Sequence, residues 1–256
     1  MRRYSYSDFF QTFPEIYRNF SQVVDHATNF RAEVEDKRIL HGAKSVLSIG
    51  AGEAQLELGL CRDLGASMTI VEPEATYVQK IRSEAKLLKT PDLITEIFEG
   101  TFQNYAPSRL FDRIFAIHSW YAIGKDKMQL QRALDFLELN GQLFITLVSA
   151  DNPIQKIAKF TSNESGAGLT AEELSDWAKS CGFQHKYWDN KRSIKCSLLQ
   201  NDEGLTSAGK ALVSFPAFTP WHEMTQAEQI RVQEILSSAR NGDSIILKNG
   251  CLLIQK

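Results

Sequence analysis

No apolar run in this chain approaches the ~20 residues needed to cross a bilayer, so a membrane span is not expected. The opening Met1-Arg2-Arg3-Tyr4-Ser5-Tyr6 has two arginines but no apolar stretch behind them, which argues against a secretory signal. Cysteine is sparse: Cys61, Cys181, Cys196 and Cys251 lie far apart and form no CxxC pair. Neither a structural metal site nor a disulfide framework is expected, and a reducing cytoplasm fits best. Nor is there an excess of one charge. The 29 basic and 31 acidic residues leave a formal net charge of −2, whereas a protein that neutralises phosphates shows a basic excess or a basic stripe. The nearest thing to a stripe is Lys186 to Lys195, where Lys186, Lys191, Arg192 and Lys195 surround Tyr187 and Trp188; it reads as a solvated turn. Nucleic acid and membrane are therefore not expected partners. Internal repeats and low-complexity tracts are missing as well.

What remains is an ordinary soluble composition, 43% hydrophobic and 23% charged, over 256 residues. That length can bury one core, or one core with an appended cap. The first forty residues read as helical. Ile16, Tyr17, Phe20, Val23, Val24, Ala27 and Phe30 recur at three- and four-residue steps, as one helical face does, behind an aromatic cluster of Phe9, Phe10 and Phe13 ended by Pro14. From Lys44 onward short β-branched runs alternate with helical spacing. Strands are expected at Ser45–Ile49, Met68–Val71, Leu93–Phe98, Leu110–Ile117 and Gln142–Val148. Helices are expected at Glu53–Leu64, Ala75–Leu88 and Lys127–Leu137. Such alternation implies parallel βαβ units with right-handed crossovers, an α/β fold of the Rossmann-like kind.

Past Val148 the alternation loosens. Asp151 to Gly168, with Pro153, Ser162, Asn163 and Gly166, is expected to be a partly irregular loop over the sheet. Thr170-Ala171-Glu172-Glu173 has the form of a capping box and should open a helix to Lys179 that Gly182 stops. Strands are expected at Phe183–Trp188 and Ser193–Leu199, and helix over Leu205–Ala239 with Pro216 and Pro220 in its middle. The runs Ser244–Leu247 and Cys251–Ile254, separated by Asn249-Gly250, fit either two strands at a tight turn or a single bulged strand. The organisation expected is a helical cap over 1–40, a core over 41–150, and over 151–256 the segments that complete the sheet and border the substrate.

The passage that carries chemistry is Val46-Leu47-Ser48-Ile49-Gly50-Ala51-Gly52-Glu53-Ala54. Glycines at the end of a first strand let the backbone turn tightly and meet a ligand where any Cβ would collide. Glu72 ends the second strand about twenty residues on, where a carboxylate can accept both hydroxyls of an adenosine ribose. Leu139-Asn140-Gly141-Gln142 sets a turn before the fifth strand. A dinucleotide would want a third glycine where Gln55 stands, and would lay its pyrophosphate on a helix start that carries Glu53 and Glu57. A sulfonium cofactor is positively charged and carries no phosphate, so these residues favour S-adenosylmethionine.

The segments SIGAGE (48–53), VEP (71–73), FDRIFAIHSWYAI (111–123), LNGQLFI (139–145) and LTAEELSDWAKSCGF (169–183) resemble the class I methyltransferases. Tyr17 through His26-Ala27-Thr28, and Leu247-Lys248-Asn249, extend the resemblance to the histamine N-methyltransferase family. The resemblance implies S-adenosylmethionine as cofactor, with Gly50, Ala51 and Gly52 against its amino-acid portion and Glu72, at the Pro73 turn, on its ribose. Tyr77 would flank the ribose, Thr101 or Phe102 would border the adenine, and Ile117 would line the site. Tyr17, Asn29, His118, Trp120, Tyr121 and Asn249 would form the substrate pocket. An acidic residue of that family falls at Asn29 here and a glutamine at His118, and the tryptophans expected within Ile154–Phe160 are missing. These departures argue against histamine and for a larger or less cationic acceptor, aromatic or heteroaromatic, methylated on nitrogen or oxygen.

His118, at the carboxyl end of a strand, is the candidate general base, since imidazole changes protonation near neutrality. A satisfied core histidine is the other reading of it, as core packing is for Trp120 and Tyr121 and a turn pair is for Asn249. The expected function is methyl transfer to a small soluble molecule. The alternative is a methyltransferase-like fold that binds the cofactor or a metabolite without transferring methyl.

Overall fold

Local capping chemistry sets the first helices. In a computed structural model that describes residues 4–87, 93–161 and 168–256, Ser5 caps α1 (Tyr6–Thr12) by accepting the Asp8 N–H at 3.1 Å. Pro14 opens α2 (Pro14–Val24), where its missing N–H costs nothing. Asp25 takes a left-handed φ of 36° and ends that helix, and α3 (His26–Asp36) follows. The apolar series from Ile16 to Phe30 is therefore shared by two helices instead of forming one continuous face. The side chains of Phe10 and Ala27, and Leu88 at the expected helix end, lie outside the described residues.

The alternating region then runs β1 (Ser45–Ile49), α4 (Gln55–Leu64), β2 (Ser67–Glu72), α5 (Ala75–Leu87), β3 (Ile94–Glu99), β4 (Phe111–Ile117), α6 (Lys127–Asp135) and β5 (Leu137–Val148). After it come α7 (Pro153–Thr161), α8 (Ala171–Ser180), β6 (His185–Lys195), α9 (Cys196–Leu199), β7 (Gln200–Asn201), β8 (Gly204–Leu205), α10 (Ser207–Ala217), α11 (Gln226–Ser238), β9 (Arg240–Asn241) and β10 (Ser244–Gln255). The chain divides into two compact units. One comprises residues 27–147, 169–189 and 250–256, and the other residues 1–26, 148–168 and 190–249.

The first unit holds β3, β2, β1, β4 and β5 side by side in that order, with the pairings all parallel, and also the 250–255 part of β10 and the 185–189 part of β6. Its inner strands β1, β2 and β4 are mostly buried on both faces. Val46, Met68, Ile70 and Phe115 pack with Phe30, Leu58 and Ile81, while Leu47, Ile49, Ile114 and Ile145 pack with Leu130 and Leu174. That two-sided burial is why these strands read as near-continuous apolar runs. The capping box expected at α8 forms, with the Glu173 N–H on Thr170 Oγ1 at 3.3 Å and the Thr170 N–H on Glu173 Oε2 at 2.9 Å.

The second unit is built around α2, α7, α10 and α11, whose core includes Phe20, Ile157, Leu212, Val232 and Leu236. Several expectations for the later chain change here. Residues 153–161 are helix, not irregular loop, because Asn152 Oδ1 accepts the Ile154 N–H at 2.9 Å and Pro153 sits at the helix start. Residues 162–167, including Ser162, Asn163 and Gly166, lie outside the described residues. The stretch from Leu205 to Ala239 is two helices: α10 ends at Phe218, whose φ is 46°, and Thr225 restarts the chain with a second capping box. Lys186 to Lys195 is β-strand instead of a solvated turn, one continuous β6 replaces the two strands expected around it, and Cys196–Leu199 is helical.

The final stretch is one continuous strand, so Asn249-Gly250 makes no turn. Gly250 is there for space. A β-carbon on it would lie 2.4 Å from Ala171 Cβ and 2.5 Å from the Tyr187 hydroxyl. Gly250→Ala should therefore destabilise the protein by about 1–3 kcal/mol, as overpacking does. Denaturant unfolding checks this, and an unchanged midpoint would contradict the strand packing.

Candidate functional site

In the sheet unit the strand order reverses direction between β1 and β4: β1 continues to β2 and β3, and β4 to β5. Loops leaving the carboxyl ends of such a pair diverge, and open α/β sheets hold ligands in the crevice between them. The Gly50–Ala54 turn follows β1, and His118 and Ser119 follow β4.

The turn is left-handed at three positions, with φ of 64° at Gly50, 56° at Gly52 and 54° at Ala54. Gly50 is required twice over, by that φ and by space: a Cβ would lie 2.5 Å from Ser119 Cβ. Ser119 Oγ donates to the Ile49 carbonyl at 2.5 Å, and the Gly50 N–H donates to the Val71 carbonyl at 2.7 Å. Gly52 differs, because a Cβ there would meet nothing within 4 Å, so its backbone faces open space. Its N–H donates to Glu72 Oε2 at 2.8 Å, while Glu72 Oε1 accepts the Glu74 N–H at 2.9 Å. The Glu72 carboxylate is thus aimed by backbone at both oxygens, and each oxygen keeps a second acceptor direction. Burial pushes its pKa up, against the pull of those two N–H donors.

Beneath the turn lies a pair with no obvious motif. Ser48, fully buried on β1, donates to Glu57 Oε1 on the first turn of α4 at 3.0 Å. Burial raises the Glu57 pKa to about 7, with Glu72 adding repulsion. The charge expected at this helix start is therefore smaller than the residue types imply. Burial favours the neutral form of Glu57, and Glu53 is paired with Lys80 at 2.5 Å. The case against a pyrophosphate then rests on Gln55, which is exposed at the position of a third glycine.

Ala51 and Ile117 are half-buried, Pro73 is exposed, and Tyr77 is half-buried on α5. Thr101 is exposed at the start of a short 3-10 turn, Phe102–Asn104, whereas Phe102 is buried in the core. Of the substrate candidates, His118 has a left-handed φ of 50°, uncommon outside glycine. Its N–H donates to the Thr146 carbonyl at 2.9 Å, and its ring meets the buried Phe30 edge-on at 5.3 Å. Asn29 is half-buried on α3, one residue before Phe30. Tyr121 is 46% exposed. Trp120 is corrected: it is fully buried in the core and its indole N–H donates to the Gly124 carbonyl at 3.2 Å, so it packs instead of lining a pocket. Tyr17 and Asn249 belong to the other unit, where the Tyr17 ring lies 5.5 Å from Phe215 and Asn249 is buried on β10. Sequence reasoning missed Ser119 and the Ser48–Glu57 pair. Only the demand of Gly50 for a small neighbour could have pointed to the former.

No family model matches the chain, and no curated protein matches it. Solved structures do. A candidate methyltransferase from Bacillus halodurans C-125 superposes with a TM-score of 0.61 at 10% identity, over 88% of this chain and 98% of that one. The plantazolicin methyltransferase BpumL, in complex with SAH, gives a TM-score of 0.57 at 16% identity over 95% and 90%. A SAM-dependent methyltransferase of Thermotoga maritima, described as a possible histamine N-methyltransferase, gives 0.55 at 14% over 97% and 98%. The chain has the Rossmann-like fold of these methyltransferases. The likeness to the histamine relative is no stronger than to the others, so it does not single out that branch. A [4+2]-cyclase, SpnF, shares the fold too, and the fold alone does not set the reaction.

Two tests follow from this geometry. Glu57 binds its proton more tightly folded than unfolded, so its contribution to stability is fully present below about pH 4.5. That contribution declines as pH rises toward 7 and is gone above it. A gap of this size corresponds to about 3 kcal/mol at most. Glu57→Gln should flatten that slope in urea-unfolding midpoints measured from pH 5 to 8; an unaltered slope would contradict the burial. Gly50→Ala should cost about 1–3 kcal/mol through strain and overpacking, whereas Gly52→Ala should cost only its φ strain. Equal losses at the two glycines in the same unfolding assay would refute the Ser119 contact.

Proposed function

We propose that the chain transfers a methyl group from S-adenosylmethionine to a nitrogen or oxygen of a small soluble acceptor of aromatic or heteroaromatic type. The observation that carries this reading is the left-handed Gly50–Gly52 turn with Glu72 clamped beside it, at the reversal point of a sheet shared with methyltransferases. One of those, BpumL, was crystallised with the demethylated product SAH.

The residues fit the cofactor on a simple ground: the open side of Gly52 admits close approach of a ligand to backbone. Gly50, Ala51 and Gly52 would hold its amino-acid portion, and the second acceptor directions of Glu72 its ribose hydroxyls. Tyr77, Thr101, Phe102 and Ile117 would border the rest, with Pro73 turning the chain after Glu72. When bound, the cofactor supplies a methyl carbon whose bond to sulfur breaks, the electron pair passing to sulfur as the acceptor's lone pair bonds to carbon. The protein's task is to hold that lone pair in line at about 3 Å, and such positioning can supply roughly 7–11 kcal/mol of barrier lowering.

His118 is the group that would take a proton from the acceptor, through a ring nitrogen. A non-glycine residue at positive φ is strained, and strain of this kind clusters at functional sites. The edge-on Phe30 contact fixes the ring's orientation. Asn29 and Tyr121, which lie in the same unit as His118, are the proposed contacts to the acceptor. Asn29 offers hydrogen bonds without charge, which disfavours a cationic amine such as histamine.

Incubation of the protein with S-adenosylmethionine and a metabolite extract should release S-adenosylhomocysteine and a product heavier by one methyl group. Histamine should give negligible turnover. With the true acceptor, His118→Ala should lower kcat about 10²–10⁴-fold while cofactor affinity is unchanged. Cofactor binding without any product would favour the non-transferring alternative, and efficient histamine methylation would overturn the acceptor reading.

A further inference from the structure

Within the second unit a cavity of about 450 Å³ opens among four basic side chains. Lys191 and Arg192 enter it from β6, Lys156 from α7 and Lys248 from β10, with Ser193 between them and Asp151 as the acidic group in its wall. The Lys186–Lys195 stretch lies on β6 and sends part of its charge into this cavity. Two of its cations, Lys191 and Arg192, meet Lys156 and Lys248 at one concavity.

The charge of Arg192 is incompletely answered there. Lys248 Nζ lies 3.5 Å from Asp151 Oδ2, and Arg192 Nη2 lies 3.7 Å from Asp25 Oδ2, beyond hydrogen-bond distance. Arg192 Nη1 is buried, and among the described residues it has no hydrogen-bond partner. A buried donor without an acceptor costs about 1–3 kcal/mol, more when the group is charged. The guanidinium fork matches the spacing of oxygens in carboxylates and phosphates, so an oxyanion is the ligand that would answer it. The volume is that of a small-molecule site, which typically spans ~300–1,000 Å³.

We propose that this cavity is a binding site for a small molecule bearing a phosphate or carboxylate group, held by Arg192 and screened by Lys156, Lys191 and Lys248. The site is independent of the methyl-transfer reading, since none of its residues belongs to the Gly50–Glu72 region.

The test is calorimetric titration of the full chain with inorganic phosphate and, separately, with malonate, at ionic strength held constant by sodium chloride. Saturable binding of either anion is expected, and the tighter one identifies the group. Arg192→Gln should weaken it at least tenfold. Because Arg192 is partly buried, the paired variant Lys156→Gln/Lys191→Gln, at exposed positions, serves as the second arm and should weaken binding several-fold in a protein whose circular dichroism is unchanged. The proposal is overturned if neither anion binds saturably beyond the chloride background, or if the Lys156/Lys191 variant binds both as the unaltered protein does.

Discussion

Two strand ends come so close that only a glycine fits between them. A β-carbon on Gly50 would stand 2.5 Å from that of Ser119, and the Ser119 hydroxyl is bonded to the Ile49 carbonyl just before the turn. This contact joins the exits of β1 and β4 at the point where the sheet reverses its order. The left-handed path of the turn then brings the Gly52 N–H to Glu72 at the end of β2. Three neighbouring strands are thus tied together through one short segment.

The same tightness has an electrostatic consequence. With Glu72 held at the rim by two backbone N–H donors, a second carboxylate, Glu57, is buried under the turn and bonded to Ser48. Burial raises its pKa to about 7, so the turn does not stand over two full negative charges. The selectivity of the turn consequently depends on steric fit and on Glu72, with the helix-start acids a smaller influence. A buried carboxyl of this kind weakens the folded state at high pH, a cost that persists because Ser48 and the packed α4 leave it nowhere else to go.

Most of the sheet was legible because buried parallel strands announce themselves. Val46 to Ile49 and Met68 to Val71 are buried on both faces and carry one polar residue each, and Gly50 and Glu72 punctuate them. The later chain was harder for a different reason. Residues 153–161 form a helix whose start depends on an Asn152 side-chain bond, and that signal is weak beside Pro153. Asn249-Gly250 is a favoured turn pair, but here the glycine answers to Tyr187 and Ala171, which are distant in sequence. The same limit applies to the site. Gly50 and Gly52 could be named from spacing, but Ser119 and Glu57 earn their places only through contacts that folding creates, and Trp120 loses its place by being buried in the core.

The central claim is that the Gly50–Glu72 cradle holds a sulfonium nucleoside and not a dinucleotide. Isothermal titration with S-adenosylmethionine, S-adenosylhomocysteine and NAD tests it most directly, with Glu72→Ala alongside. The account predicts saturable binding of the first two and none of NAD. It also predicts that Glu72→Ala weakens binding by a few kcal/mol at most, the worth of charged hydrogen bonds. Tight NAD binding with no response to S-adenosylhomocysteine would contradict it.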